Sequence, residues 1–324
     1  METGNRALAR GFRTNLRSGK KKQGGIMKDS LAKTEERASY ILLVAPALLI
    51  YLFVMAFPTF FSIVVSMSNY NGGSIFKSGS IKITGFRAYT DIFKDHYFFM
   101  ALKNNIFIVL ISVFGQIPLG FFLAYILSRG LIKSTDFFQT MIYLPNVIAA
   151  VIIGILFKRF FLSSNSVWLE IQKYFNPAAE YIPGRNAMVP ILIVILWMYT
   201  GMYVLIFLAN LQKIDVSIIE ASKIDGASEM QTLRYIILPA LSGVIVTTAI
   251  LAISGSLKSF DLIFVMTEGG PAYSTSVLSI YMYMKAFRGA PNYPIANAIS
   301  TVMVIICFLL IGLTRFAEKR FSGD

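Results

Sequence analysis

Six long apolar runs dominate this sequence, at residues 40–67, 105–127, 137–157, 189–211, 242–266 and 295–316. A helix needs about 20 consecutive apolar residues to cross the hydrocarbon core of a bilayer. It also satisfies its own backbone N–H and C=O groups, which an open strand in lipid cannot do. The alternating segments of roughly 10 residues that a membrane barrel requires are absent. The chain is therefore predicted to be all-α, a polytopic membrane protein with six transmembrane helices. Composition agrees, with 56% hydrophobic and 15% charged residues, against about 25% charged in an ordinary soluble domain.

The formal net charge of +13 is concentrated in residues 1–38 and at the ends of the apolar runs. The first segment carries Arg6, Arg10, Arg13, Arg17, Lys20, Lys21, Lys22 and Lys28. It lacks the apolar stretch and cleavage site of a signal peptide, so it is expected to be a retained cytoplasmic tail. Arg129 and Lys133, in the turn after the second run, fall on the same side. Together they put both termini in the cytoplasm. Lys77, Lys82, Arg87 and Lys94 lie in an opposite-side loop and run against that trend. No basic motif interleaved with aromatics points to nucleic acid. The expected division is a basic cytoplasmic tail at 1–38, a transmembrane domain at 39–318 and a cytoplasmic tail at 319–324. Pro46 and Pro58 favour a kink in the first run, and residues 86–93 suit a short interfacial helix. Asn165, Asn176, Pro177 and Pro183 mark a polar loop between the third and fourth runs.

Enzymatic chemistry has little to stand on. Cys307 is the sole cysteine and His96 the sole histidine, so neither a disulfide within the chain nor a cysteine or histidine metal site is expected. His96 itself suits a loop at the membrane surface. Acids in the middle of spans, which an ion-coupled secondary transporter uses, are nearly absent. A phosphate-binding loop needs G-x-x-x-x-G-K-[ST]. The only Gly-Lys pair, Gly19-Lys20, is followed by Lys21 and has Thr14 at the first glycine position.

The polar segment 212–241, between the fourth and fifth runs, is the most informative. Asp215 can cap a helix at 216–224, and Gly226 can end it in the left-handed conformation. Ser228 and Gln231 have capping-box spacing for a second helix, and Pro239 bends or stops that helix before the next span. Glu220, Lys223 and Ala227 recur at helical spacing and are expected to share a face. Local chemistry thus predicts a helix–turn–helix elbow projecting from the membrane.

Glu220-Ala221-Ser222, Gly226, Ile236, Leu238 and Pro239 resemble the motif E-A-A-x3-G-x9-I-x-L-P of the membrane subunits of binding-protein-dependent ABC importers. Six fixed positions agree, a chance on the order of one in ten million at a given start. Ser222 stands where the motif has its second alanine. Phe260-Asp261, Thr267-Glu268-Gly269-Gly270-Pro271 and Ser274-Thr275 are similar to the carbohydrate permeases of the maltose type, as are the shorter Ala45-Pro46-Ala47 and Tyr143-Leu144-Pro145-Asn146. The resemblance covers residue 39 to the C-terminus and implies a permease of the type I ABC importer kind.

The resemblance implies that the elbow is a coupling helix docking on a separate ATP-hydrolysing subunit. Glu220 would meet a basic residue there, Ala221 and Ser222 would allow close packing, and Asp225 and Gly226 would form the turn. The implied partners are a second homologous permease, two ATP-binding subunits carrying ATP and Mg²⁺, an extracytoplasmic solute-binding protein and membrane lipid. No cofactor is expected on this chain. The implied cargo is a carbohydrate, first an oligosaccharide, neutral or uronate-containing. Tyr199, Tyr203, Ser256, Lys258 and Ser259 are the candidate path residues. Trp197, Thr200, Ser254 and Asp261 lie beside them in sequence. Hydroxyls and amines meet sugar hydroxyls, and aromatic rings meet sugar faces. Helix–helix packing is the competing role for each. Lys258 and Asp261 have the spacing of an ion pair. Tyr273, Tyr281, Tyr283 and Tyr293 are candidates for contact with the docked binding protein or the sugar.

Overall fold

In the computed structural model, residues 41–73, 82–130, 133–175, 177 and 187–322 are described. Residues 1–38, Lys77, Asn176, Pro183 and the end of the C-terminal tail lie outside them. The chain divides into one unit ending at Phe61 and a larger one beginning at Ser62. The described residues are helical, with one isolated bridge between Ser68 and Ile83 and no strand.

In chain order the helices are α1 (Ile41–Ser66), α2 (Arg87–Ile92), α3 (His96–Ser128), α4 (Thr135–Val147), α5 (Ala150–Phe161), α6 (Val167–Phe175) and α7 (Met188–Leu211). They continue as α8 (Val216–Ile224), α9 (Glu229–Thr232), α10 (Ser242–Leu257), α11 (Asp261–Thr267), α12 (Leu278–Phe287) and α13 (Tyr293–Ser322). α1, α3, α7, the α10–α11 stretch and α13 are each long and apolar enough to cross a bilayer. α2 occupies the segment expected to form a short helix, and His96 opens α3.

The expected third span is not continuous. α4 and α5 meet at a bend of 91°, where Ile148 and Ala149 take ψ values of 136° and 131° and leave the helical region. Each half packs on a different neighbour. α4 lies against α7, where a Cβ on Gly201 would come within 2.3 Å of the Ile142 carbonyl. α5 lies against α11, with Gly154 facing Val265 at 3.0 Å from such a Cβ. A straight helix cannot satisfy both contacts, so the run breaks between them.

The other irregularities follow the prolines. Each of the π-helical turns Leu52–Ala56, Ser112–Gln116 and Leu233–Ile237 ends two residues before a proline, namely Pro58, Pro118 and Pro239. A proline offers no N–H to the carbonyl four residues back, and its ring crowds that carbonyl. A wider turn makes room, with Phe57, Ile117 and Leu238 donating to Leu52, Ser112 and Leu233. The kink expected at Pro58 is thus a π turn.

Within the larger unit, α7 is the most deeply packed span, apolar all round as a central helix must be. One cluster joins it to α3 and α10 through Ala124, Tyr203, Phe207 and Ala252. A second joins it to α5, α11 and α12 through Ile153, Ile195, Ile263 and Ile280. A third, around Ile92, Phe98, Tyr281 and Ile299, gathers α2, α12 and α13 about the start of α3.

Candidate functional site

The elbow between α7 and α10 is built by local chemistry. Asp215 accepts from the Ser217 N–H at 2.9 Å and starts α8. That bond to the charged form holds its carboxyl below the usual carboxylate range. α8 ends in a Schellman motif: the Ala227 N–H donates to the Ser222 carbonyl at 2.9 Å and the Gly226 N–H to the Lys223 carbonyl at 3.1 Å. Gly226 sits at φ +80°, as this turn demands. Ser228 and Gln231 complete the capping box in both directions.

Two details of the elbow differ from expectation. Ala227 lies beyond the left-handed turn, so it does not share the face of Glu220 and Lys223. The turn ends the helical spacing at Ile224. Ser222, moreover, is more than a small residue. Its buried hydroxyl meets that of Thr232 at 3.1 Å, tying α8 to α9. Outward, the elbow presents Val216, Ile218, Ile224, Met230 and Tyr235, with Ile224 86% exposed. A shallow open notch of about 320 Å³ lies between Asp225, Gly226, Gln231, Tyr235 and Ile236. Exposed apolar side chains set among charges are what a protein-docking surface needs. Glu220 and Asp225 stand exposed beside them.

The candidate path residues divide. Tyr203 is buried between α7 and α3, its Cβ 2.7 Å from where a Cβ on Gly120 would stand. Ser256 is buried, its hydroxyl in hydrogen-bond contact with the Ser112 hydroxyl at 3.0 Å and the Ala252 carbonyl at 2.7 Å. Both are held in helix–helix contacts. Thr200 donates within α7 itself, to the Leu196 carbonyl. Tyr199 is half-buried against the same core cluster as Phe260, within electrostatic range of the Asp261 carboxylate. Lys258 and Ser259 occupy the break between α10 and α11; Lys258 is exposed, and the Ser259 carbonyl accepts from the Ser279 hydroxyl. Lys258 and Asp261 make no ion pair with each other; the pairs among the described residues lie elsewhere. The structure therefore gathers Tyr199, Lys258, Ser259 and Asp261 near the α10–α11 break and buries Tyr203 and Ser256 at helix crossings.

Sequence reasoning missed two buried amides. Asn104 donates to the carbonyls of Ser274 and Ser276 at 2.9 and 2.8 Å. Asn105 donates to the Ser256 carbonyl at 3.1 Å and accepts from the Leu278 N–H at 2.7 Å. They pin the loop between α11 and α12 onto α3. The signal was available: paired amides at the start of an apolar run are costly unless each finds a partner.

Asp95 makes a clasp at the same end of α3. One oxygen caps α3 through the Tyr97 N–H at 3.0 Å. The other accepts from the Tyr281 hydroxyl and from Lys285 at 3.3 Å. Tyr273 packs between Tyr97 and Tyr281, whereas Tyr283 packs on Phe260 and Phe264, and Tyr293 on Tyr70. Burial raises the Asp95 carboxyl, but the bonds from Tyr281, Tyr97 and Lys285 outweigh it and leave it below 3.8. Burial and the Asp95 bond push the Tyr281 phenol well up. A depressed carboxyl stabilises the fold above its unfolded pKa and loses that contribution as pH falls through the folded value. The stability difference between wild type and Asp95→Asn is thus expected to be flat from pH 8 to 5 and to shrink only below about pH 4. Its plateau should be about 1–2 kcal/mol after solvent screening, read by thermal melting in detergent.

The chain thus combines apolar spans with a polar elbow capped at both of its helices. Comparison with known proteins gives the family. Residues 116–323 match the family described as binding-protein-dependent transport system inner membrane component. The chain is 34% identical over 284 residues to the lactose transport system permease protein LacF of Rhizobium radiobacter, covering 86% of this chain and 93% of the relative. It is 30% identical over 281 residues to the multiple sugar-binding transport system permease protein MsmF of Streptococcus mutans, covering 86% and 93%. A crystal structure of a bacterial ABC transporter involved in the import of the acidic polysaccharide alginate aligns with a TM-score of 0.72 at 21% identity, over 89% of this chain and 97% of that one. At that identity the likeness concerns the fold. The chain belongs to the family of binding-protein-dependent transport system inner membrane components, as a transport subunit and not a catalytic one.

Proposed function

We propose that this chain is the permease subunit of an ATP-driven importer that carries an oligosaccharide across the cytoplasmic membrane of a bacterium. The elbow carries the reading: capped at both helices, tied by Ser222 and Thr232, and apolar on its exposed side. In this reading the elbow, residues 212–241, is cytoplasmic, as are the basic tail 1–38 and the tail 319–324. The transmembrane domain, residues 39–318, pairs with a second homologous permease. Two separate ATP-binding subunits hold ATP and Mg²⁺ and receive the elbow. Glu220 meets a cation there, Ala221 and Ser222 permit close approach, and Asp225 and Gly226 shape the turn. A solute-binding protein docks on the opposite face.

Two relatives named for lactose and for multiple sugars support a carbohydrate cargo. So does the mix of phenol, hydroxyl and amine at Tyr199, Ser259 and Lys258. Reconstituted with its partner chains in liposomes, the protein is expected to accumulate labelled oligosaccharide only with ATP on the elbow side. Uptake that follows an ion gradient and ignores ATP would overturn the proposal in favour of an ion-coupled secondary transporter. Failure to co-purify with any ATP-binding subunit would overturn it as well.

A further inference from the structure

The helix α6 has an exposed face that the importer reading leaves unused. Around its axis, Tyr174, Val167, Ile171, Phe175 and Trp168 follow one another in a stripe about 120° wide, at 3.6 residues per turn. All five are exposed, Tyr174 and Phe175 at 86% and 81%. The opposite arc carries Gln172, Lys173 and Glu170, the last two paired at 3.0 Å. Within that arc only Leu169 is buried. The helix is therefore amphipathic with its apolar side outward, the reverse of a helix on a water-facing surface.

Its neighbour shows what lies on that side. α5 buries Ile153 and Gly154 and exposes Val151, Ile152, Ile155 and Leu156 on one continuous arc. Lys158 and Arg159, in the last turn, stand exposed on the same arc. An apolar face that ends in two long cations is the pattern of a helix leaving hydrocarbon for phosphate. α6 follows immediately. The Ser166 hydroxyl caps it by accepting from the Leu169 N–H at 3.1 Å, and the Trp168 ring meets Phe161 of α5 edge-on at 5.7 Å. Trp and Tyr are the residues that favour the headgroup level, with an apolar body and a polar tip.

We propose that α6 lies in the membrane–water interface on the side opposite the elbow, with its Trp168–Tyr174–Phe175 stripe seated in the lipid at headgroup depth. Lys158 and Arg159 reach lipid phosphates beside it. α6 precedes α7 and the elbow follows it, so the two stand at opposite ends of that span. The seated stripe fixes the depth at which α5 and α7 sit, as interfacial helices do through buried apolar area. The inference needs the membrane but not the ATP-driven cycle, so its failure leaves the proposed function standing, and the reverse.

Trp168 and Trp197 are the only tryptophans. Trp197→Phe therefore leaves Trp168 as the sole reporter in the full chain. In bilayer nanodiscs, its emission is expected to be blue-shifted from that of tryptophan in water. Lipids brominated near the headgroup should remove most of its fluorescence, and lipids brominated near the chain terminus little. Quenching by aqueous iodide with no effect of either bromolipid would overturn the proposal and assign the stripe to a soluble partner. Quenching by neither would assign it to a second protein subunit and overturn it too. A spin label at Phe175→Cys in a Cys307→Ser background gives an independent measurement. Collision with oxygen should dominate over a water-soluble nickel chelate; the opposite order counts against seating.

Discussion

Glu220→Arg is expected to lower ATP-driven uptake by about 30-fold or more while leaving the membrane helices folded. Glu220 is exposed and forms no ion pair among the described residues, so its loss removes nothing from this chain's own packing. If a cation of an ATP-binding subunit meets it, reversal replaces attraction with repulsion at a docked surface. Removing one member of such a pair costs about 2–5 kcal/mol. Gly226 separates the roles of charge and shape. No atom lies within 4 Å of a Cβ built there, so a side chain meets open space and only the φ of +80° resists it. Gly226→Asn should keep coupling, since asparagine tolerates the left-handed region. Gly226→Val should strain the turn by about 1–2 kcal/mol and reduce coupling with it. Normal uptake by both Glu220→Arg and Gly226→Val, at matched expression, would sink the coupling role.

The elbow was legible because its determinants are neighbours in sequence. Asp215 caps with Ser217, Ser228 with Gln231, and Gly226 turns where only a few residues turn readily. Five of the six expected spans were legible for the same reason, since length and polarity of a run decide whether it crosses lipid. What escaped was set by distant contacts. The break at Ile148–Ala149 depends on Gly201 from α7 and Val265 from α11, and no pattern within 137–157 encodes either. Ser222 looked like a small replacement for alanine until Thr232, ten residues on, supplied the partner for its hydroxyl. Tyr203 and Ser256 carried the chemistry of a sugar path but sit at helix crossings, where the same hydroxyl and ring serve packing. Type alone does not separate the two roles, because each uses the same hydroxyls and rings.

Gly201→Ala is expected to be the most damaging single-methyl addition in the larger unit. The new Cβ would stand 2.3 Å from the Ile142 carbonyl oxygen and 2.8 Å from the Tyr143 Cα. These are backbone atoms, which cannot rotate aside as a side chain can, so α4 as a whole must retreat from α7. Overpacking of this kind costs typically 1–3 kcal/mol, and immovable neighbours put this case at about 3 kcal/mol or above. Gly120→Ala meets the Tyr203 Cβ at 2.7 Å, with backbone at 3.3 Å, and should rank next. Gly154→Ala meets mainly the Val265 side chain at 3.0 and 3.1 Å, which has some freedom to give. Gly312→Ala meets nothing within 4 Å on a helical face of α13, and should be neutral or stabilising by about 0.4–1 kcal/mol. Melting temperatures in one detergent should fall in the order Gly312→Ala, Gly154→Ala, Gly120→Ala, Gly201→Ala. A wild-type melt for Gly201→Ala would mean that α4 and α7 do not cross so closely. The contact reason for the broken third span would fall with it, because α4 is held apart from α5 by that crossing.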